Sequence, residues 1–347
     1  MDTNNPVGLD GVSFVEFAGT DSMFFENLFL KWGFLEISKH PTKNIKLFKQ
    51  NDINFIVNSE PGTFAYDFAK KHGPSVSSTG FRTLNAQQAM KVSTQRGGKE
   101  YQGSAASKGV INEPAIYGIG DSLIYFMDSN SERHMLEQTF GFNPAKTPVK
   151  GVGFEIVDHF TNNVPKGEMQ KWCDFYINIF NFRETRYFNI QGAETGLLSK
   201  VMRSPCNKFA VPINEPADGK SQIQEYLDEY KGSGIQHLAL LTSNIVQSLH
   251  NLKNSQLEFL TPPPDAYYKM LSERVPNVTE HIPELQKNAI LVDGDDKGYL
   301  LQIFSKNIIG PIFFEVIQRK NHFGFGEGNF QALFDSIERD QKERGYL

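Results

Sequence analysis

Apolar and polar positions along the chain alternate between two periods, and the alternation recurs. Near the start, Gly11-Val12-Ser13-Phe14-Val15-Glu16-Phe17 is rich in β-branched and aromatic residues and reads as a strand. Phe24, Phe25, Leu28, Phe29 and Trp32 then fall at helical spacing behind Asp21, which predicts a helix capped by that carboxylate. Gly33 supplies a left-handed residue to end the helix before Phe34. The same order returns in Gly151-Val152-Gly153-Phe154-Glu155-Ile156-Val157, a helical stripe of Trp172, Cys173, Tyr176, Ile177 and Phe180, and an exit at Asn181-Phe182. Asn tolerates the left-handed cap almost as well as Gly, so Asn181 is expected to do the work of Gly33. The offset grows from 140 residues at Val12/Val152 to 148 at Phe34/Phe182, which predicts an insertion in the Pro- and Gly-containing loop 161–168.

Each half holds a second such unit. A strand through residues 80–84 precedes a helix from Asn85 through Ala89 and Met90, and Gly97-Gly98 stops it. In the second half, Gly234-Ile235-Gln236-His237-Leu238-Ala239-Leu240 precedes a helix through Ile245, Leu249 and Leu252. The halves close with apolar strands at 122–127 and at 299–304. Paired strand–helix–strands units imply an α+β fold of curved sheets with helices outside. Residues 143–150, with two prolines and no periodicity, mark a linker and divide the chain into 1–145 and 146–347. A terminal helix is expected with Phe330, Leu333, Phe334 and Ile337 on one face.

Composition narrows the function classes. The chain has 347 residues, 39% hydrophobic and 22% charged, as a globular protein of two domains would. Lys plus Arg is 35 against 40 Asp plus Glu, and a net charge of −5 argues against a nucleic-acid partner. Cys173 and Cys206 are too few for a disulfide framework or a thiolate zinc site. The N-terminal stretch has no secretory pattern and nowhere do 18 apolar residues run together, so no membrane partner and a cytoplasmic location are expected.

Among eight histidines, His159 follows a predicted strand and His237 lies inside one. Glu315 sits among Ile312, Phe313, Phe314, Val316 and Ile317, where a carboxylate is costly unless paired or bound to metal. Singly, each is more simply a satisfied core residue, or for Glu315 the solvent side of an alternating strand. Together they have the composition of a two-histidine, one-carboxylate set, which suits non-haem Fe(II) and leaves three adjacent positions open. The 140-residue shift places Gly19 opposite His159, so the first half is expected to hold no such site. Arg319-Lys320 and the acidic run 338–340 are expected to be solvated.

Several stretches, in order, resemble the 4-hydroxyphenylpyruvate dioxygenase family of the vicinal oxygen chelate superfamily. They are Val157-Asp158-His159, Val211-Pro212-Ile213-Asn214-Glu215-Pro216, Ser221-Gln222-Ile223-Gln224, Gly234-Ile235-Gln236-His237-Leu238-Ala239, Leu301-Gln302-Ile303-Phe304, Phe314-Glu315-Val316-Ile317-Gln318-Arg319 and Gly324-Phe325-Gly326-Glu327-Gly328-Asn329-Phe330. The resemblance implies two pseudo-symmetric domains of paired βαβββ modules forming half-open barrels. Only the second would hold Fe(II), one per chain, on His159, His237 and Glu315. It implies oxidative decarboxylation of 4-hydroxyphenylpyruvate with O2, ring hydroxylation and side-chain migration, giving homogentisate and CO2 in tyrosine and phenylalanine catabolism. It further implies a polar pocket of Gln222, Gln236, Gln302, Asn214 and Ser199, substrate contacts from Pro212, Phe304, Phe325, Phe330 and Asn329, a C-terminal lid helix and a homo-oligomer, dimer or tetramer. Two other readings share these residues: a 4-hydroxymandelate synthase, which hydroxylates the side chain, and a non-catalytic binder of small aromatics. The glycines at 324, 326 and 328 lack the G-x-G-x-x-G spacing and the strand–turn–helix setting of a dinucleotide site.

Overall fold

The computed structural model describes residues 3–326, 328–329, 334, 337–339, 341–342 and 344–347. Phe14 to Phe17 and their neighbours form strand β1 (Leu9–Ala18), and the first sheet continues with β2 (Leu35–Lys39), β3 (Ile45–Gln50), β4 (Ile53–Asn58), β5 (Ser75–Thr83), β6 (Ala115–Tyr117) and β7 (Leu123–Met127). The second sheet holds β8 (Phe154–Asn163), β9 (Arg183–Gln191), β10 (Gly196–Arg203), β11 (Ala210–Pro216), β12 (Gly234–Thr242), β13 (Leu291–Gly294), β14 (Tyr299–Phe304) and β15 (Phe313–Lys320). Strand order is β2-β3-β4-β1-β5-β7-β6 in one and, read in the same sense, β9-β10-β11-β8-β12-β15-β14-β13 in the other. The first sheet is the same arrangement with one strand fewer.

The anticipated caps are present. Asp21 accepts from the backbone N–H of Met23 at 2.9 Å to start helix Ser22–Lys31. Gly33 (φ +73°) and Asn181 (φ +64°) end the equivalent helices, the second being Met169–Phe180. The next residues donate alike, Phe34 to the Phe29 carbonyl at 2.9 Å and Phe182 to the Tyr176 carbonyl at 3.2 Å.

Register shows how deep the duplication goes. Gly80 lies across from Phe14 and beside Tyr125, while Ala239 lies across from His159 and beside Glu315. Ser78 opposes Glu16 as His237 opposes Thr161. The structural counterparts of His159, His237 and Glu315 are therefore Phe14, Ser78 and Tyr125. The offset expected from Val12/Val152 placed Gly19 opposite His159, and it fails because Val12 lies inside β1 whereas Val152 precedes β8, so the two apolar runs are not equivalent strand positions. Each half also carries β-bulges at matching places, with Asp10, Ser13 and Ser77 the extra residues in one and Glu155, Asp158 and Gln236 in the other. A bulge rotates the chain so that successive side chains can both reach one face.

The interior of the first sheet is filled. Phe14, Leu47, Ile56, Leu123, Tyr125 and Met127 belong to one apolar cluster, and the Phe14 and Tyr125 rings lie 5.9 Å apart. The two halves meet through a second core, where Phe314, on the opposite face of β15 from Glu315, touches Phe17, Phe29, Trp32 and Phe55. Gln50 ties the linker down, its Oε1 accepting from the N–H groups of Val152, Gly153 and Phe154 at 2.8 to 3.0 Å. That shared core holds β15 rigidly, and Glu315 with it.

Candidate functional site

Strands β8, β12 and β15 are neighbours in the middle of the second sheet, which places one chemical group from each on a common inner face. His159, His237 and Glu315 meet there, at 2%, 8% and 2% exposure. Nε2 of His159 is 3.2 Å from Glu315 Oε2, and Nε2 of His237 is 3.5 Å from the same oxygen. Donors bound side by side to one metal at about 2.1 Å lie roughly 3 Å apart, so this spacing suits a common ion.

The far side of two of these side chains is already committed. His159 Nδ1 lies 2.7 Å from Asp158 Oδ2, an adjacent-residue contact that the bulge at Asp158 permits. Glu315 Oε1 accepts from Gln302 Nε2 at 2.9 Å. His237 Nδ1 lies 3.2 Å from Gln236 Oε1, while the Thr161 hydroxyl is 2.9 Å from its Nε2. His159, His237 and Glu315 are the only group of its kind among the described residues able to hold a metal ion. Two imidazole nitrogens and one carboxylate, buried and convergent, fit a divalent transition metal better than the all-oxygen shell of Mg²⁺.

Burial alone would raise the pKa of Glu315, but His159 and His237 beside it hold it down at about 2. Burial opposes a charged His159, yet Glu315 and Asp158 outweigh it and its pKa rises. For His237 burial wins and the pKa falls. Asp158 is fully buried and still titrates well below the usual carboxylate range, because Arg319 overcomes the desolvation.

A small cavity opens over these three side chains, lined by Ser199, Pro212, Asn214, Gln222, Gln236, Phe304, Phe313 and Phe325 among others. Ser199 and Asn214 face each other across β10 and β11. Gln222 opens helix Gln222–Tyr230 behind the Ser221 cap. Gln236 is the bulged residue of β12, which lets it and His237 reach one cavity although they are consecutive. Phe304 pairs directly with Glu315 across β14 and β15. Phe325 closes the other side, its ring 5.2 Å from that of His159.

Gln302 and Asn329 stand behind the cavity wall instead of in it. Gln302 spends its amide N–H groups on Glu315 and on the Phe325 carbonyl (3.0 Å), and its oxygen accepts from Asn329 at 3.0 Å. Asn329 accepts in turn from the Tyr267 hydroxyl at 2.6 Å. Phe330 lies outside the described residues. Thr161, Phe313, Ile190 and Leu197 line the cavity and escaped the sequence reading. Phe313 was within reach, since it precedes Glu315 by two positions in a strand and must share its face. The expected solvation of Arg319 and Glu338 is wrong. Arg319, itself half-buried, pairs with the buried Asp158, and Glu338 is 4% exposed, because charge runs do not reveal the partners brought from elsewhere in the chain. Asp340 lies outside the described residues.

The described parts of the terminal segment are docked over the cavity. Phe334 and Ile337 line it. The Glu338 carboxylate accepts from the N–H groups of Ala193, Glu194 and Thr195 at 2.9 to 3.3 Å and from the Thr195 hydroxyl at 2.7 Å. Arg344 pairs with Glu225 on helix Gln222–Tyr230.

Comparison with known proteins fits this geometry. Residues 3–140 match the family model "Hydroxyphenylpyruvate dioxygenase, HPPD, N-terminal", and residues 156–302 match the "Glyoxalase/Bleomycin resistance protein/Dioxygenase superfamily" model. Protein MelA of Shewanella colwelliana is 49% identical over 346 residues, covering 99% of each chain. The 4-hydroxyphenylpyruvate dioxygenase of Pseudomonas aeruginosa is 45% identical, over 100% of this chain and 98% of its own. A mutant 4-hydroxymandelate synthase from Streptomyces coelicolor superposes with a TM-score of 0.82 at 23% identity, over 96% of this chain and 99% of that one, a likeness of fold alone.

Proposed function

This chain belongs to the 4-hydroxyphenylpyruvate dioxygenase family, and from that premise we propose that it converts 4-hydroxyphenylpyruvate and O2 to homogentisate and CO2 on an Fe(II) held by His159, His237 and Glu315. Bound Fe(II) supplies a chelation point for the 2-oxo acid and the redox chemistry that activates O2. The chain's residues do the rest. Glu315 offsets one of the two positive charges of the ion, and Gln302 keeps its second oxygen turned away from the ligand position. Asp158 holds His159 Nδ1, leaving Nε2 free to bind.

Two histidines and one carboxylate leave three adjacent positions, enough for a bidentate oxo acid and O2 together. The amides of Gln222, Gln236 and Asn214 and the hydroxyl of Ser199 orient a phenol and an oxo acid without titrating near neutral pH. Phe304, Phe313 and Phe325 supply flat apolar walls for the ring, and Phe334 and Ile337 help to keep water out. The observation that carries the reading is the convergence of three ligand atoms at the floor of an aromatic-walled, amide-rimmed cavity. The proposal extends to a division at 1–145 and 146–347, a homo-oligomer, a cytoplasmic location, and no nucleic-acid or membrane partner. No described helix is long and apolar enough to cross a membrane. The test is anaerobic loading with Fe(II) and 4-hydroxyphenylpyruvate followed by an oxygen pulse. One O2 consumed per CO2 and per homogentisate supports the reading, and substrate recovered unchanged rejects it.

A further inference from the structure

Glu315, Ile317 and Arg319 alternate along β15, so Arg319 lies on the same face as Glu315, two steps further along it. It is held in an unusual grip. Its Nε donates to Asp158 Oδ1 and its Nη2 to Asp158 Oδ2, both at 2.7 Å. Its Nη1 donates to the carbonyls of His322 at 3.2 Å and Gly324 at 2.6 Å. Asp158 Oδ2 is also the atom that meets His159 Nδ1. On the other side, Gly324 leads into Phe325, whose ring packs on His159 and lies 5.3 Å from the Arg319 guanidinium. A single side chain thus holds both the residue that fixes the imidazole and the backbone that carries the ring against it.

Holding a buried ion pair for stability alone is a poor use of these residues, because desolvating two charges offsets most of their attraction. A planar fork bound to a carboxylate on one edge and to two carbonyls on another does specify geometry. We propose that Arg319 is a positioning residue that sets the orientation of His159 and the placement of Phe325 together, so that metal binding and closure of residues 322–325 over the cavity are coupled. The inference rests on reading His159 as a metal ligand.

Arg319→Ala would strand Asp158 in the core and could simply unfold the protein, so the informative variant is Arg319→Lys. Lysine keeps the charge and can reach Asp158, but it cannot form the fork and hold both carbonyls at once. The control is Arg203→Gln. Arg203 also lies over the Phe325 ring, at 5.2 Å, and reaches the Phe323 carbonyl only at 3.5 Å, but it makes no hydrogen bond to Asp158 among the described residues. Full-length metal-free protein is titrated with Co(II), read by visible absorption, and amide exchange of residues 322–326 is followed with and without the ion. Wild type should bind one Co(II) and slow exchange in that segment on binding. Arg319→Lys should bind Co(II) between about 10- and 100-fold more weakly, and its segment should no longer respond to the ion. Arg203→Gln should keep wild-type affinity. Wild type that binds no Co(II) overturns the metal reading itself. If wild type binds but Arg319→Lys matches it in affinity, or binds weakly while the segment still responds fully, the coupling is refuted and the metal reading stands.

Discussion

Phe14 in β1 occupies the position that His159 occupies in β8, each lying across from the residue, Gly80 or Ala239, that neighbours the third strand of the row. The duplicated backbone carries the same bulges in both halves, yet one interior became a packed core and the other a polar cavity. Which half offers a set of residues able to hold a metal is therefore decided by side chains alone.

Metal stoichiometry should follow. Chelator-treated protein should take up one Fe(II) per chain and regain activity with it but not with Mg²⁺, whose preferred shell is oxygen. Glu315→Gln should lose most of the iron, since it removes the anionic ligand. Phe14→Ala should cost about 3–5 kcal/mol of stability by opening a cavity while leaving metal content unchanged. Metal analysis alongside denaturant titration checks both, and full turnover by Glu315→Gln at stoichiometric iron would contradict the ligand assignment.

The docking of the tail should depend on acid. Burial would raise the pKa of Glu338, but the hydroxyl and N–H of Thr195 and the N–H groups of Glu194 and Ala193 more than offset this and lower it. A carboxyl whose folded pKa is depressed stabilises its docked state fully above its free value, and that stabilisation disappears as pH falls through the lowered one. Amide exchange of the 193–195 turn should accordingly rise as pH is lowered through and below the ordinary glutamate range, after correction for intrinsic exchange. Glu338→Gln should show fast exchange there already at neutral pH. An unchanged exchange profile in that variant would remove Glu338 as the anchor.

Product identity should be set by the wall that faces the substrate ring. Pro212 is rigid, Asn214 pairs with Ser199 across β10 and β11 and donates to Asn163 Oδ1 at 3.2 Å, and Phe304 stands opposite Glu315. Placement errors on the order of 1 Å are enough to change which carbon reacts. Wild type should give homogentisate as its main product. Substitutions at Pro212, Asn214 or Phe304 should lower its yield or divert part of the flux to 4-hydroxymandelate. Chromatography of single-turnover products decides the point, and hydroxymandelate as the main wild-type product would assign the chain the sister reaction.

Gly326 should resist any side chain. Its φ is +80°, and a Cβ there would fall 2.0 Å from Gln302 Oε1. Gly326→Ala must therefore push Gln302 off Asn329 or strain the backbone, and Gln302 is what braces Glu315. A loss of about tenfold in kcat/KM is expected, equivalent to about 1.4 kcal/mol of barrier. Activity equal to wild type would show that Gln302 can move without consequence.

Much of the site could be read in the chain itself. His159, His237 and Glu315 stood out because polar groups in apolar strands need a partner, and Asn181 could be matched to Gly33 because left-handed caps admit few residues. The roles of Gln302 and Asn329 could not be read this way. Both belong to motifs that resemble the family's pocket, but whether a side chain faces a ligand or braces one depends on a neighbour dozens of residues away. Arg319 looked like part of a solvated basic pair for the same reason, since its partner Asp158 lies on another strand.

Periodicity, caps and the order of the repeated units were determined by local physics, and the sequence alone carried them: strand against helix, two related halves, and the residue types of one metal set. Tertiary structure decided the alignment between those halves. The bulges at Ser13, Ser77, Asp158 and Gln236 shift register by one residue, and a one-residue shift in a strand exchanges its faces. In the second half those shifts bring Gln236 and His237 into one cavity and let Asp158 reach His159. The counterpart of His159 is Phe14 because strand pairing sets Phe14 across from Gly80 as it sets His159 across from Ala239, and no linear offset contains that pairing.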